Sequence, residues 1–243
     1  MGTSDRRLRE KEQRKTEIAD AAGRLFFSRR YEDVSMDDIA REVDLNKATL
    51  YLYFENKETL FATIVLRGIG ILREKYQECR EKQAPGIVKV ALMGQAYHQF
   101  SEEYPDYLRL IHFYGSERFS KENPYTAEIG KGYGDCRRIL QDAVQEGIDD
   151  GTIRDDLDPF LTSMYVMIAF MGILSIEDKW KLVIGAEGFT GRQFTAEFFR
   201  FIIPALSASE KYRDPGDFAP CGFAITETGE PGKGTGPRVD KNT

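Results

Sequence analysis

Apolar residues recur at three- and four-residue spacing along most of this chain, a pattern that predicts helices as far as about residue 206. Between residues 35 and 60 the predicted helices are short and sharply punctuated. Ser35 stands where an N-cap belongs, and Asp38 occupies the reciprocal position of a capping box. Ile39, Ala40 and Val43 make one apolar face. Asp44-Leu45-Asn46 breaks that helix. Asp44 tolerates a left-handed turn, Leu45 fills the angle between two helices, and Asn46 caps the second. Leu50 and Phe54 then face inward, which leaves Lys47, Ala48, Thr49, Tyr51 and Tyr53 on other faces. Asn56 caps a third helix that opens at Lys57. Two short helices about a tight turn, followed by a third helix start, form the layout of a helix-turn-helix DNA reader.

Beyond this head the pattern lengthens. One helix is expected from Lys57 to about Glu81, with Leu60, Ile64, Ile71 and Tyr76 among its apolar positions. Others are expected over residues 87–103, 104–114, 125–147, 159–175 and 190–206, with a loop at 115–124 and a turn at 149–154. Asp158-Pro159 reads as a cap with proline at the first helical position. Residues 176–189 fit no single period. From Ser207 onward glycine and proline crowd out large apolar residues, and disorder is expected over 207–243, with Cys221 to Ile225 as a small patch that could dock locally. The fold class is therefore all-α: a three-helix head over residues 1–56 and a larger helical domain over 57–206.

Charge refines the head. Lys57 lies in a first helical turn, where a cation opposes the helix dipole. The free amides of that turn can bind a phosphate, and Lys57 beside them makes either a phosphate clamp or a solvated lysine. Arg6, Arg7, Arg9, Lys11, Arg14 and Lys15 open the first helix and can reach backbone phosphates, or can simply alternate with acids on an exposed surface. The net charge of −6 argues weakly against nonspecific nucleic-acid binding by the whole surface, but not against a local basic site.

The head resembles the tetracycline-repressor (TetR) family of transcriptional regulators. The likeness runs through Ile39-Ala40, Val43, Leu45-Asn46, Thr49-Leu50-Tyr51, Tyr53-Phe54 and Lys57-Glu58 to Leu60, all in one register. It implies a DNA-binding set of Ser35, Asn46, Lys47, Ala48, Thr49, Tyr51, Tyr53 and Lys57. In that set Thr49, Tyr51, Tyr53 and Lys57 hold phosphates, and Asn46, Lys47 and Ala48 begin the recognition helix. It also implies a homodimer on a palindromic operator in double-stranded DNA, released by a small-molecule effector. Arg30 and Asp44 depart from the family's usual glycines, and Tyr53 from a common histidine. Positive φ is often needed at the two glycine positions, so both substitutions are expected to cost a little stability.

The larger domain is rich in aromatics. Most serve core packing, but Tyr97, Phe100, Tyr104, Tyr107, His112, Phe113, Tyr133 and Tyr165 are the candidates for an effector site, because buried tyrosines need partners and suit an amphipathic ligand. His98 and His112 are the only histidines in the sequence. The 159–175 helix is apolar nearly all round, through Leu161, Met164, Tyr165, Ile168 and Met171, with small Ala169 and Gly172, which is more apolar surface than one core contact requires. The family resemblance implies that it and the 190–206 helix pair with their twins in a four-helix dimer bundle.

Other chemistry is excluded or left without support. Cys79, Cys136 and Cys221 are far apart and show no metal-ligand spacing. No nucleophile–base set, acid pair or phosphate loop emerges, so no enzyme, cofactor or metal is expected. The absence of a signal segment or a membrane-length apolar run points to the cytoplasm. Two rivals stay open: a small-molecule-binding helical protein whose head has lost DNA binding, and a helical enzyme that happens to carry such a head.

Overall fold

The computed structural model describes residues 3–115, 124–176 and 178–208. The tail expected to be disordered from 207 is ordered at its start, where Ser207 is buried and bridges Ile153; residues 209–243, with the Cys221 patch, and most of the 115–124 loop lie outside the described residues. The order of elements is α1 (Thr3–Ser28), α2 (Met36–Glu42), α3 (Lys47–Tyr51), α4 (Lys57–Arg80), α5 (Gly86–Glu103), α6 (Pro105–Tyr114), α7 (Pro124–Asp149), α8 (Pro159–Leu174), α9 (Asp178–Ala186) and α10 (Gly191–Leu206). A short 3-10 turn, Tyr31–Asp33, links α1 to α2. Among the described residues there is no β-strand, only an isolated bridge between Ile153 and Ser207.

The chain forms two compact units, Met1–Gln83 with Ala96–Asp142, and Ala84–Gln95 with Ala143–Thr243. In the first unit α1, α4 and α6 share an aromatic core. Phe26 meets Phe61 edge-on at 5.1 Å between ring centroids, and Phe61 meets Tyr31 at 4.9 Å and Phe113 at 5.8 Å. Such pairs add to the stabilisation from burying large rings. Gly68 lets α6 sit against α4: a Cβ there would lie 2.9 Å from the Tyr107 ring. Gly132 does the same for α7, where a Cβ would meet Ile69 at 2.9 Å.

In the second unit Phe170 of α8 packs on Phe198 and Phe199 of α10, at 6.0 and 5.3 Å. Arg154 N donates to Leu206 O and Ala208 N to Thr152 O, which ties the end of α10 to the turn before α8. α8 has an unusual division of faces. It buries Thr162, Ser163, Val166 and Phe170, yet Leu161, Tyr165 and Ile168 are about half exposed or more. With exposed Gly172 they form a stripe at i, i+4, i+7 and i+11. The ambiguous 176–189 region contains α9, whose Trp180, Leu182 and Val183 are exposed.

Candidate nucleic-acid interface and effector cluster

Local chemistry builds the head as the sequence predicts. The Ser35 hydroxyl accepts from Asp38 N at 3.1 Å while the Asp38 carboxylate accepts from Ser35 N at 2.9 Å, a complete capping box. Hydrogen bonding from Ser35 holds the Asp38 carboxyl below its usual range. Asn46 Oδ1 accepts from Thr49 N, and Asn56 Oδ1 from Thr59 N, both at 2.8 Å. Asp44 takes φ 51°, the only positive φ at a non-glycine residue among the described residues. Ile39, Leu50 and Phe54 are buried. Arg30 differs from expectation. Its φ of −68° and ψ of 152° are ordinary extended backbone, so the cost expected for an arginine in place of glycine does not arise there.

The geometry turns α3 outward. Asn46, Lys47, Ala48 and Tyr51 are exposed, and Thr49 and Tyr53 half-buried. Lys47 Nζ pairs with Asp37 at 2.9 Å, which raises its pKa and holds the side chain across from α2. Leu52, outside the set named from sequence, is 76% exposed beside Tyr51. Tyr53 lines a cleft of about 420 Å³ with Lys15, Arg67, Tyr125 and Glu128 among its other walls. The basic start of α1 is laced with acids, as in Arg6–Glu10, Arg14–Glu17 and Lys15–Glu12. Arg14 also donates to Val43 O at 3.3 Å, so one of these cations braces the end of α2.

Lys57 is neither free in solvent nor aimed wholly outward. Its ammonium donates to Tyr31 O and Val34 O, each at 2.9 Å, and stands 4.1 Å from the centre of the Tyr31 ring. Burial lowers its pKa, while Glu32 and Asp33 oppose that shift. Two of its three N–H groups are thus committed to the α1–α2 connection.

The aromatic candidates fall into separate groups. Tyr97, His112 and Tyr133 come together: the Tyr97 hydroxyl is 3.4 Å from His112 Nε2, and the Tyr133 hydroxyl donates to Ile111 O at 3.5 Å. Burial raises both tyrosine pKa values, Tyr133 to about 12, and lowers that of His112. The three therefore stand uncharged at neutral pH. Phe100 stacks on Tyr104 at 5.5 Å, and Tyr104 meets Tyr107 at 6.2 Å. Phe113 packs in the Phe61 core instead. Tyr165 belongs to the second unit and is 66% exposed on α8. Among the described residues no cluster of three or more His, Cys, Asp or Glu side chains is placed to hold a metal. No single described helix is long and apolar enough to cross a membrane.

Comparison with known proteins places these features in context. Residues 18–64 match the sequence profile described as bacterial regulatory proteins, tetR family. The chain is 27% identical over 155 residues to the HTH-type transcriptional repressor KstR2 of Rhodococcus jostii (strain RHA1), covering 60% of this chain and 70% of that protein. It is 28% identical over 153 residues to the fatty acid metabolism regulator protein of Bacillus subtilis (strain 168), covering 62% and 76%. Its fold is similar to that of AibR in complex with isovaleryl coenzyme A and operator DNA, with a TM-score of 0.58 at 19% identity, covering 77% of this chain and 97% of that one.

Proposed function

We propose that this chain, whose head makes it a member of the tetR family of bacterial regulatory proteins, is a dimeric transcriptional repressor that a small-molecule effector releases from a palindromic operator. The observation that carries this reading is the outward-facing α3, capped by Asn46 and followed at once by the capped start of α4. Residues 1–56 serve DNA binding, and 57–206 serve the effector and the dimer. Asn46, Lys47 and Ala48 lie nearest the base edges, with Leu52 offering an apolar surface to a thymine methyl. Ser35, Thr49, Tyr51, Tyr53 and the remaining N–H of Lys57, beside the α4 amides, hold phosphates.

The α8 stripe of Leu161, Tyr165, Ile168 and Gly172 supports the homodimer, since it presents apolar side chains that its own unit leaves exposed. A two-fold dimer offers its recognition helices to half-sites roughly 34–36 Å apart. The effector is an amphipathic organic molecule held by the uncharged Tyr97, His112 and Tyr133 groups. It must bind one conformer better than the other; a tenfold weakening of DNA binding needs about 1.4 kcal/mol of coupling. The protein acts in the cytoplasm, by binding and without turnover.

Anisotropy of labelled duplex DNA, titrated at several salt concentrations, tests this reading. Tyr51→Phe is expected to weaken binding on all sequences alike, as loss of a phosphate contact does. A folded dimer that binds no duplex even at about 50 mM salt would transfer the reading to a small-molecule-binding protein whose head has lost its DNA role.

A further inference from the structure

The last turn of α1 contains no basic residue. Its terminal carbonyls lack helical partners and carry the negative end of the helix dipole, so a cation is favourable there. That cation comes from α6. Arg109 Nη2 donates to Phe26 O and Phe27 O, each at 2.9 Å, and to Asp106 Oδ1 at 3.2 Å one turn back on its own helix. The contact is reinforced beside it, where the Tyr107 ring meets Phe27 edge-on at 5.1 Å. Lys57, from the start of α4, holds the next carbonyls along the chain, Tyr31 O and Val34 O. The stretch from Phe26 to Val34 leads straight into Ser35, α2 and α3. It is gripped by two cations, each supplied by a helix outside the three-helix head.

We propose that Arg109 is a positioning residue for DNA recognition: by capping α1 from α6, it fixes the placement of α2 and α3 on the α4–α6 frame. The proposal rests on the reading of the head as a DNA reader. It also gives that reading a route, because α6 carries His112, the partner of the Tyr97 hydroxyl, three residues beyond Arg109. A shift of α6 at the aromatic cluster reaches the end of α1 through the guanidinium. Arg109 is 47% exposed, so a direct phosphate contact is the competing role that the test must separate.

The test compares full-length wild type, Arg109→Gln and Arg109→Lys by hydrogen exchange, and by anisotropy on two duplexes: the palindrome recovered from a random library by the wild type, and a scrambled version. In Arg109→Gln, amides of residues 29–35 are expected to exchange about tenfold faster while those of residues 60–72 keep wild-type protection. Affinity for the palindrome falls about tenfold, with scrambled-duplex affinity and salt slope unchanged. Arg109→Lys, which keeps a charge but not the planar guanidinium or its reach, falls between. Faster exchange with full palindrome affinity would reduce Arg109 to a stabilising cap and overturn the proposal. Equal loss on both duplexes with a shallower salt slope would make it a phosphate contact, and overturn it too. Should the wild type recover no palindrome, the DNA reading itself fails, and the exchange rates alone decide whether Arg109 holds the α1–α2 connection.

Discussion

Replacing Lys57 by methionine separates what the ammonium does inside the protein from what it does for DNA. The substitution keeps an unbranched side chain of similar length and removes only the charged donor. In the folded protein that donor makes two hydrogen bonds of 2.9 Å to Tyr31 O and Val34 O, and a cation–π contact at 4.1 Å. Hydrogen bonds from a charged group are worth roughly 1.5–3 kcal/mol each, and an exposed cation–π contact about 0.5–1 kcal/mol. The site is half-buried and burial depresses the lysine pKa, so desolvation of the ammonium offsets part of this gain. Water can also reach the freed carbonyls in part. The sum begins at about 3.5 kcal/mol, and these offsets bring the expected loss down to about 2 kcal/mol. Urea unfolding followed by circular dichroism measures it as a lower midpoint with an unchanged slope. On DNA, loss of the remaining N–H should lower the salt slope by about one unit on every sequence. A midpoint identical to wild type would refute the carbonyl clamp. A sequence-selective loss of binding would refute the phosphate role.

Other predictions test separate parts of the account. Burial lowers the His112 pKa below its usual value near 6.5, so the unfolded chain binds a proton that the native state resists. Stability should then fall as pH drops through about 6.5 toward the folded value, and thermal melts from pH 8 to 5 should show a weaker fall in His112→Gln. Within α7, Gly130 and Gly134 have open space where a Cβ would sit, whereas Gly132 faces Ile69 at 2.9 Å. Alanine at 130 or 134 should stabilise by about 0.5–1 kcal/mol each through helix propensity, and alanine at 132 should destabilise, as read by denaturant melts. Ile168→Glu places a charge in the exposed α8 stripe, and light scattering at micromolar concentration should show a shift from dimer to monomer; an unchanged dimer would move the interface elsewhere.

What the sequence made legible was chiefly local. The Ser35, Asn46, Asn56 and Asp158 caps rest on side-chain oxygens reaching amides three residues on, and all four are present. Asp44 was readable because only a few residue types tolerate positive φ. Arg30 misled because a family habit of glycine does not dictate φ when the chain leaves α1 in an extended conformation. Long-range partners left no local mark. Nothing near Lys57 announces that the carbonyls of residues 31 and 34 will lie against it, and nothing near α1 announces a cap from Arg109, 82 residues past Phe27. Composition alone cannot tell an aromatic of the Phe61 core, such as Phe113, from the Tyr97–His112 pair. α9 escaped detection because it is short and its apolar residues are exposed, which blurs the usual period.

The central claim is that α3, presented twice by a two-fold dimer, reads a palindrome in double-stranded DNA. Selection of the purified full-length protein against a random duplex library, read by sequencing, tests this most directly. The account predicts enrichment of one inverted repeat whose half-sites lie about one helical turn apart, or a multiple of it, and enrichment of the same repeat by Tyr51→Phe with weaker binding overall. A folded, dimeric protein that enriches no sequence over the starting library would contradict it.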